Sequence, residues 1–300
     1  MPDKYSAVWV SHSSMGDFIK CPRSYYLHNM YKDPKTGHKV SIVNPHMSLG
    51  VAVHEVLEGL ANFPSDERMN RDLLALYEAE WKKVTGKKGG FTSDEEEAEF
   101  KARGKVMLEK VTSDPRFLVN KCIKLPQDKM PCNFYLSEEH NIILNGLVDW
   151  IEYLPETNSL HIIDFKTGKN EENNGSLQLP IYLLLCDALH KKRKVTKASY
   201  WYLESDKLVE KELPDIEKAR RDVLDVAVKV KEARDTAKRE GVENAFVCPR
   251  GAYDAETRKG GCSNCIPYEL IITKDPSMEP VGVGGFNQDM YVLRQLTTDN

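Results

Sequence analysis

Apolar positions in residues 11–31, SHSSMGDFIKCPRSYYLHNMY, recur at helical spacing. Phe18, Ile19 and the Tyr25-Tyr26-Leu27 run form the face, and Ser13 or Ser14 can cap it. The same period predicts helices over 47–62, 70–84 and about 95–112, the last opening on an acidic run that suits a helix N-terminus. The texture then changes. Residues 141–154, NIILNGLVDWIEYL, are β-branched and aromatic, and after the turn-like PETNS comes SLHIIDFKTG, so the two stretches read as a hairpin. Residues 177–190 form an apolar helix with Pro180 in its first turn, where proline is tolerated. Strands are predicted at 196–204 and 207–213 around Ser205-Asp206. A long amphipathic helix covers 215–240, with Ile216, Ala219, Val223, Val226, Val230, Ala233 and Ala237 as its stripe and Gly241 as its C-terminal cap. A cysteine-bearing loop follows at 246–268, and the last thirty residues show no clear pattern.

Composition narrows the possibilities. A chain of 300 residues, 41% hydrophobic, can bury a substantial core. Its formal net charge is -4, so nucleic-acid binding would need local positive charge or metal ions. The opening MPDKYSAVWV lacks the layout of a signal peptide, and no run approaches the roughly 20 apolar residues that span a bilayer. The expectation is a cytoplasmic protein with no membrane partner. Seven cysteines, unevenly spread, suit metal ligands or core thiols better than disulfides in such a compartment.

The candidate chemistry centres on IIDFKTG. Side chains alternate along a strand, so Asp164 and Lys166 share a face while Phe165 points to the core, and Thr167-Gly168 ends the run. By itself this is most simply a surface salt pair. Asp149 in GLVDW, on the preceding strand, can be brought beside Asp164 by the hairpin. Two neighbouring carboxylates repel, and Mg²⁺ or Mn²⁺ relieves the repulsion using oxygen ligands: Asp149, Asp164 and the main-chain carbonyl of Phe165. Lys166 can then hold a water or stabilise charge on a phosphate. His54 lies one turn after Gly50 on the second helix and is a further candidate ligand, although a lone helical histidine is more often surface or core. Gln178 and Tyr182, four apart, share a helix face. They suit DNA contacts or orientation of Lys166, or form the rim of a core.

Cys262-Ser263-Asn264-Cys265 is a C-x-x-C, with Cys248 upstream. A tetrahedral or cubane site needs a fourth thiolate. Cys122 and Cys132 are available, and Cys186 reads as core. Cys21 is the best placed, in a helix whose aromatic face must dock. Spacing alone does not separate zinc from iron–sulfur.

Together these motifs resemble the RecB-like branch of the PD-(D/E)XK nuclease superfamily, of the iron–sulfur type found in CRISPR-associated and phage exonucleases and in bacterial helicase–nuclease complexes. SHSSMGDFIKCPRSYYL, GVAVHEVLE, GLVDW, IIDFKTG and LQLPIY carry the likeness, over roughly 11–270. The resemblance implies His54, Asp149 and Asp164 as metal ligands, Lys166 as the catalytic lysine, and Gln178 and Tyr182 at the DNA. It also implies a 4Fe–4S cluster on Cys21, Cys248, Cys262 and Cys265. Here Asp164 stands where many members have glutamate. No cysteine follows Cys265, and Cys248 precedes the pair by the thirteen residues PRGAYDAETRKGG, so zinc stays open.

The expected fold is α/β, a restriction-endonuclease-like mixed sheet flanked by helices, with the N-terminal helices tied to the C-terminal segment by the cysteines. One domain is expected over 1–271, with a helical part (1–115), a sheet core (116–213) and a helix-plus-cysteine part (214–271), and 272–300 as a tail. The expected activity is Mg²⁺- or Mn²⁺-dependent DNA cleavage, as an exonuclease, in recombination, repair or phage DNA metabolism. A recombination, CRISPR or phage protein complex is the expected setting. The rivals are a non-cleaving DNA-binding scaffold and a zinc-stapled RNA-processing enzyme. The basic run HKKRKVTK, 190–197, offers a backbone contact or a solvated helix end.

Overall fold

The computed structural model describes residues 3–124, 132–172 and 175–294. Strand β1 (Val8–Val10) leads into helices α1 (His12–Lys20) and α2 (Pro22–Asn29), then β2 (Lys39–Ile42), α3 (Pro45–Gly59), α4 (Leu73–Trp81) and α5 (Asp94–Ser113). Next come β3 (Cys132–Ser137), β4 (Ile142–Gly146), β5 (Trp150–Leu154), β6 (Ser159–Lys166), α6 (Gln178–Leu189), β7 (Val195–Tyr202) and β8 (Lys207–Lys211). The chain continues through α7 (Ile216–Glu240), α8 (Val242–Ala245), α9 (Ile266–Ile272), β9 (Met278–Gly284) and β10 (Gln288–Leu293).

Two boundaries differ from the sequence pattern for physical reasons. The helix expected over 11–31 is two helices. Pro22 has no N–H to continue the first, and the residue before a proline is driven to extended backbone. Cys21 accordingly sits at φ -166, ψ 114 and caps α2, its Sγ accepting the Ser24 N–H at 3.5 Å. The stretch 141–154 is likewise two strands in different sheets, β4 and β5. Gly146 ends β4 against α6, where a Cβ would stand 2.8 Å from Leu185 Cδ1. Asp149 therefore precedes β5, whose pairing with β6 begins at Trp150↔Ile163.

The chain divides into two compact units, residues 1–11, 46–84 and 98–225, and residues 12–45, 85–97 and 226–300. The first holds a mixed sheet in the order β5-β6-β7-β8, with β6 and β7 parallel and the outer pairs antiparallel. A second sheet, β1-β4-β3, pairs β1 with β4 in parallel. Every residue of β6 but Lys166 is buried, the polar Ser159, His161 and Asp164 included. In α6, Gln178 and Tyr182 are buried along with Leu183, Leu184 and Leu185.

The second unit holds a sheet in the order β2-β10-β9. Strands β9 and β10 fall in the last thirty residues, where glycines at 282, 284 and 285 and a proline at 280 interrupt the alternation that would reveal them. Cys21, Leu27, Cys248, Cys262 and Cys265 form a buried cluster there, joining the N-terminal helices to the C-terminal segment. Among the described residues, no helix is long and apolar enough to cross a membrane.

Candidate active site

The tip of β6 carries the site in the first unit. Asp164 is 2% exposed and lies among donors from α6. Gln178 Nε2 donates to Asp164 Oδ1 at 2.7 Å, and the Tyr182 hydroxyl donates to the same oxygen at 3.1 Å. Lys166 Nζ donates to Gln178 Oε1 at 2.7 Å and lies 2.8 Å from Asp164 Oδ2. Gln178 thus uses both ends of its amide, one for the ammonium and one for the carboxylate, which fixes which end is oxygen. Proline at 180 in the first turn of α6 leaves that geometry intact, because no helical acceptor awaits its missing N–H.

Asp164 Oδ2 is buried and makes no hydrogen bond: Lys166 is near enough for an ion pair but not aligned for a directional bond. Burial opposes the charge on Lys166, but Asp164 outweighs it and raises the lysine above its ordinary value, keeping it an ammonium. Glu172 Oε2 lies 3.4 Å from the same ammonium, and the Tyr200 ring centroid is 4.9 Å from it.

Asp149 takes the Phe165 N–H at 2.8 Å through Oδ2, where a neighbouring strand's carbonyl would otherwise accept it. The N–H and C=O of one strand residue face the same edge, so the Phe165 carbonyl faces the Asp149 edge as well. The Lys166 carbonyl, one residue on, accepts Leu203 N–H at the β7 edge. Burial, and then the charge of Asp164, push Asp149 well above the usual carboxylate range. Helix α3 delivers His54, whose Nδ1 is 3.0 Å from Glu58 Oε1 and 3.5 Å from Asp149 Oδ2. Burial disfavours the imidazolium, but the Glu58 hydrogen bond and the charges of Asp149, Glu58 and Asp164 prevail and raise it to about 9. Gly50 on α3 leaves room for the strand tip: a Cβ there would touch Thr167 Oγ1 at 3.4 Å.

His54, Glu58 and Asp149 place donor atoms within 4.8 Å of one another. Glu58 was not singled out from the sequence. The signal is present in HEVLE, since residues four apart share a helix face. A cavity of about 50 Å³, lined by Glu58, Asp149 and Lys124 and not by His54 or Asp164, opens beside this group. The donor set is hard oxygen plus one imidazole. Asp164, whose Oδ2 is ion-paired with Lys166, is not part of the His54, Glu58 and Asp149 group. Two carboxylates that repel beside one imidazole fit a divalent cation.

In the second unit, Cys21, Cys248, Cys262 and Cys265 are all buried, and their Sγ atoms lie within 4.8 Å of one another. Cys122, Cys132 and Cys186 are not in this group. Burial raises Cys21 to about 11. Burial also acts on Cys262, but the backbone N–H groups of Cys265 and Asn264 reverse it and bring that thiol to about 7. Four buried thiols at this spacing fit a metal ion that neutralises them.

The basic run begins at the C-terminal end of α6, the end opposite Gln178, where cations suit the helix dipole. Arg193 there donates to Asn158 Oδ1 at 3.2 Å.

No curated protein matches the chain. The family model of the PD-(D/E)XK nuclease superfamily matches residues 9–268, a span that takes in His54, Asp149, Asp164, Lys166 and all four clustered cysteines. With the aspartate–lysine pair at the end of a strand in a mixed sheet, that match establishes that the chain belongs to the PD-(D/E)XK nuclease superfamily.

Proposed function

We propose that the protein is a divalent-metal-dependent deoxyribonuclease acting on DNA ends or single strands. The observation that carries this reading is the pairing of buried Asp164 with Lys166 at 2.8 Å at the tip of β6, in the same unit as the His54, Glu58 and Asp149 group. His54, Asp149, Asp164 and the Phe165 carbonyl would hold Mg²⁺ or Mn²⁺, with Glu58 as an added carboxylate. Bound there, the ion supplies Lewis-acid polarisation of a phosphoryl oxygen and a more acidic water. Lys166, kept charged by Asp164, would hold the attacking water or stabilise the negative charge that grows on the phosphoryl oxygens. Gln178 and Tyr182 hold that lysine and carboxylate in register; of the roles open to them in the sequence, their bonds support orientation of Lys166. A groove of about 660 Å³, lined by Glu172, Tyr200, Leu177 and Pro214, starts at residues touching Lys166 and offers room for substrate.

Exonuclease action and a part in recombination, repair or phage DNA metabolism follow from the RecB-like resemblance, which also implies a 4Fe–4S cluster. The scaffold rival has no use for His54, Asp149, Asp164 and Lys166 in one place. End-labelled linear DNA, closed circular DNA and RNA of matched sequence, incubated with Mn²⁺ and with the native protein or Lys166→Ala, test the reading. Loss of linear DNA alone, abolished by the substitution, is the expected result. Equal degradation by both proteins would sink the assignment to this site, and degradation of RNA alone would favour the processing enzyme.

A further inference from the structure

The four thiols of the second unit stand closer together than a four-iron cluster permits. All Sγ pairs are within 4.8 Å, and Cys262 and Cys265 are 3.6 Å apart. A single tetrahedral ion with bonds of about 2.3 Å to sulfur sets its thiolates about 3.8 Å apart. A cubane inserts iron and sulfide between the thiolates, which spreads them to roughly 6 Å.

The backbone around the thiols opposes such an expansion. Cys265 N–H and Ile266 N–H both donate to the Cys262 carbonyl, closing the C-x-x-C into a tight turn. The long loop between Cys248 and Cys262 folds back on itself: Gly251 N–H donates to Cys248 O, and Gly261 N–H to Gly251 O. Gly260 and Gly261, at φ +73 and +68, make the reversal, and a Cβ on Gly260 would collide with the Ala252 carbonyl at 2.0 Å. The extra length before the pair is therefore a closed hairpin that returns Cys248 to Cys262. On the other side, Cys21 is fixed by Pro22, and Arg23 ties α2 to α9 through Glu269 at 2.6 Å, across 246 residues of chain. The thiols also meet N–H groups suited to thiolate charge, from Ser24 to Cys21 and from Cys262 to Cys265.

We propose that Cys21, Cys248, Cys262 and Cys265 hold one tetrahedral zinc ion in place of the iron–sulfur cluster that the family resemblance implies. Zinc itself changes no oxidation state, so the site staples the second unit and carries no electrons.

Full-length protein purified anaerobically from cells supplied with both iron and zinc tests this by elemental analysis and acid-labile sulfide. About one zinc per chain and no sulfide is the expected result. Iron with stoichiometric sulfide, a single iron without sulfide, or no metal would each overturn it. Cys248→Ser should lose the bound zinc. If that variant does not fold, Co²⁺ exchanged into the native protein gives the deciding spectrum. Visible bands of a tetrahedral tetrathiolate ion support the proposal, and their absence overturns it. None of these readouts involves DNA, so they stand or fall apart from the nuclease reading.

Discussion

Asp164 concentrates the chemistry of single residues in this protein. Its Oδ1 is held by Gln178 and Tyr182, and its Oδ2 is ion-paired with Lys166. Gln178→Ala removes the group that holds both members of the pair. An expected cost of about 1–3 kcal/mol in stability follows from the buried partners left unsatisfied. Activity should fall by roughly 10- to 100-fold, as for partners that orient metal ligands. Single-turnover cleavage beside thermal melting checks this, and unchanged cleavage would show that Gln178 does not position Lys166.

Protons on the same site give a second expectation. His54 in the metal-free fold titrates at about 9, against 6.5 ordinarily. Its stabilising charge is fully present below pH 6.5 and is lost as pH rises through 9. Asp149, also raised, holds a proton that the unfolded chain has already released. Both groups make the folded state bind more protons, so metal-free stability falls with rising pH. The melting temperature in chelator should drop by several degrees, on the order of 2–4 °C per kcal/mol, between pH 6 and 9.5. His54→Gln should flatten that slope, and a melting temperature that rises over this window would contradict the arrangement. At this scale, strand alternation made the shared face of Asp164 and Lys166 legible. Glu58 was obscured because a glutamate four residues from a histidine is common on any helix surface.

Elements end where the backbone forces them to, and that is where sequence patterns were least informative. Hydrophobic periodicity ran through Cys21-Pro22, yet the proline splits the helix and the split turns Cys21 into a capping residue. It also ran through Gly146–Asp149, where the chain leaves one sheet for another. The central strand β6, helix α6 and long helix α7 were legible because burial imposes one period on each along its length. The cysteine hairpin allows a direct comparison of two glycines with the same handedness. Gly251 (φ +85) has open space around a Cβ, so Gly251→Ala should cost about 1 kcal/mol, from the left-handed backbone alone. Gly260 (φ +73) has the Ala252 carbonyl 2.0 Å from a Cβ, so Gly260→Ala adds a displacement of backbone and should cost about 2 kcal/mol more. Denaturant unfolding measures both. Equal losses would mean that the hairpin is not packed as described, and only the Gly260 substitution should weaken metal retention at the thiols.

For the molecule as a whole, charge sets the terms on which it meets DNA. The chain carries a net -4, so no general attraction draws a polyanion to it. Glu58, Asp164 and Glu172 gather carboxylates where the reading places the phosphate, with Asp149 protonated beside them, and the charges of Lys166 and His54 leave a negative excess. A divalent ion in that position changes the sign of the local field as well as supplying chemistry. Substrate binding and metal binding should therefore be coupled, each strengthening the other by the same factor. Ca²⁺, which takes the same oxygen ligands, tests the coupling by titration of a short single-stranded DNA at fixed ionic strength. Affinity should rise at least about tenfold on adding Ca²⁺, a coupling of about 1.4 kcal/mol. Asp164→Asn removes one negative charge and one ligand together, so it should bind DNA better than the native protein in chelator and gain less from Ca²⁺. The opposite ordering, with the native protein binding more tightly in chelator, would mean that the acidic cluster does not face the phosphate.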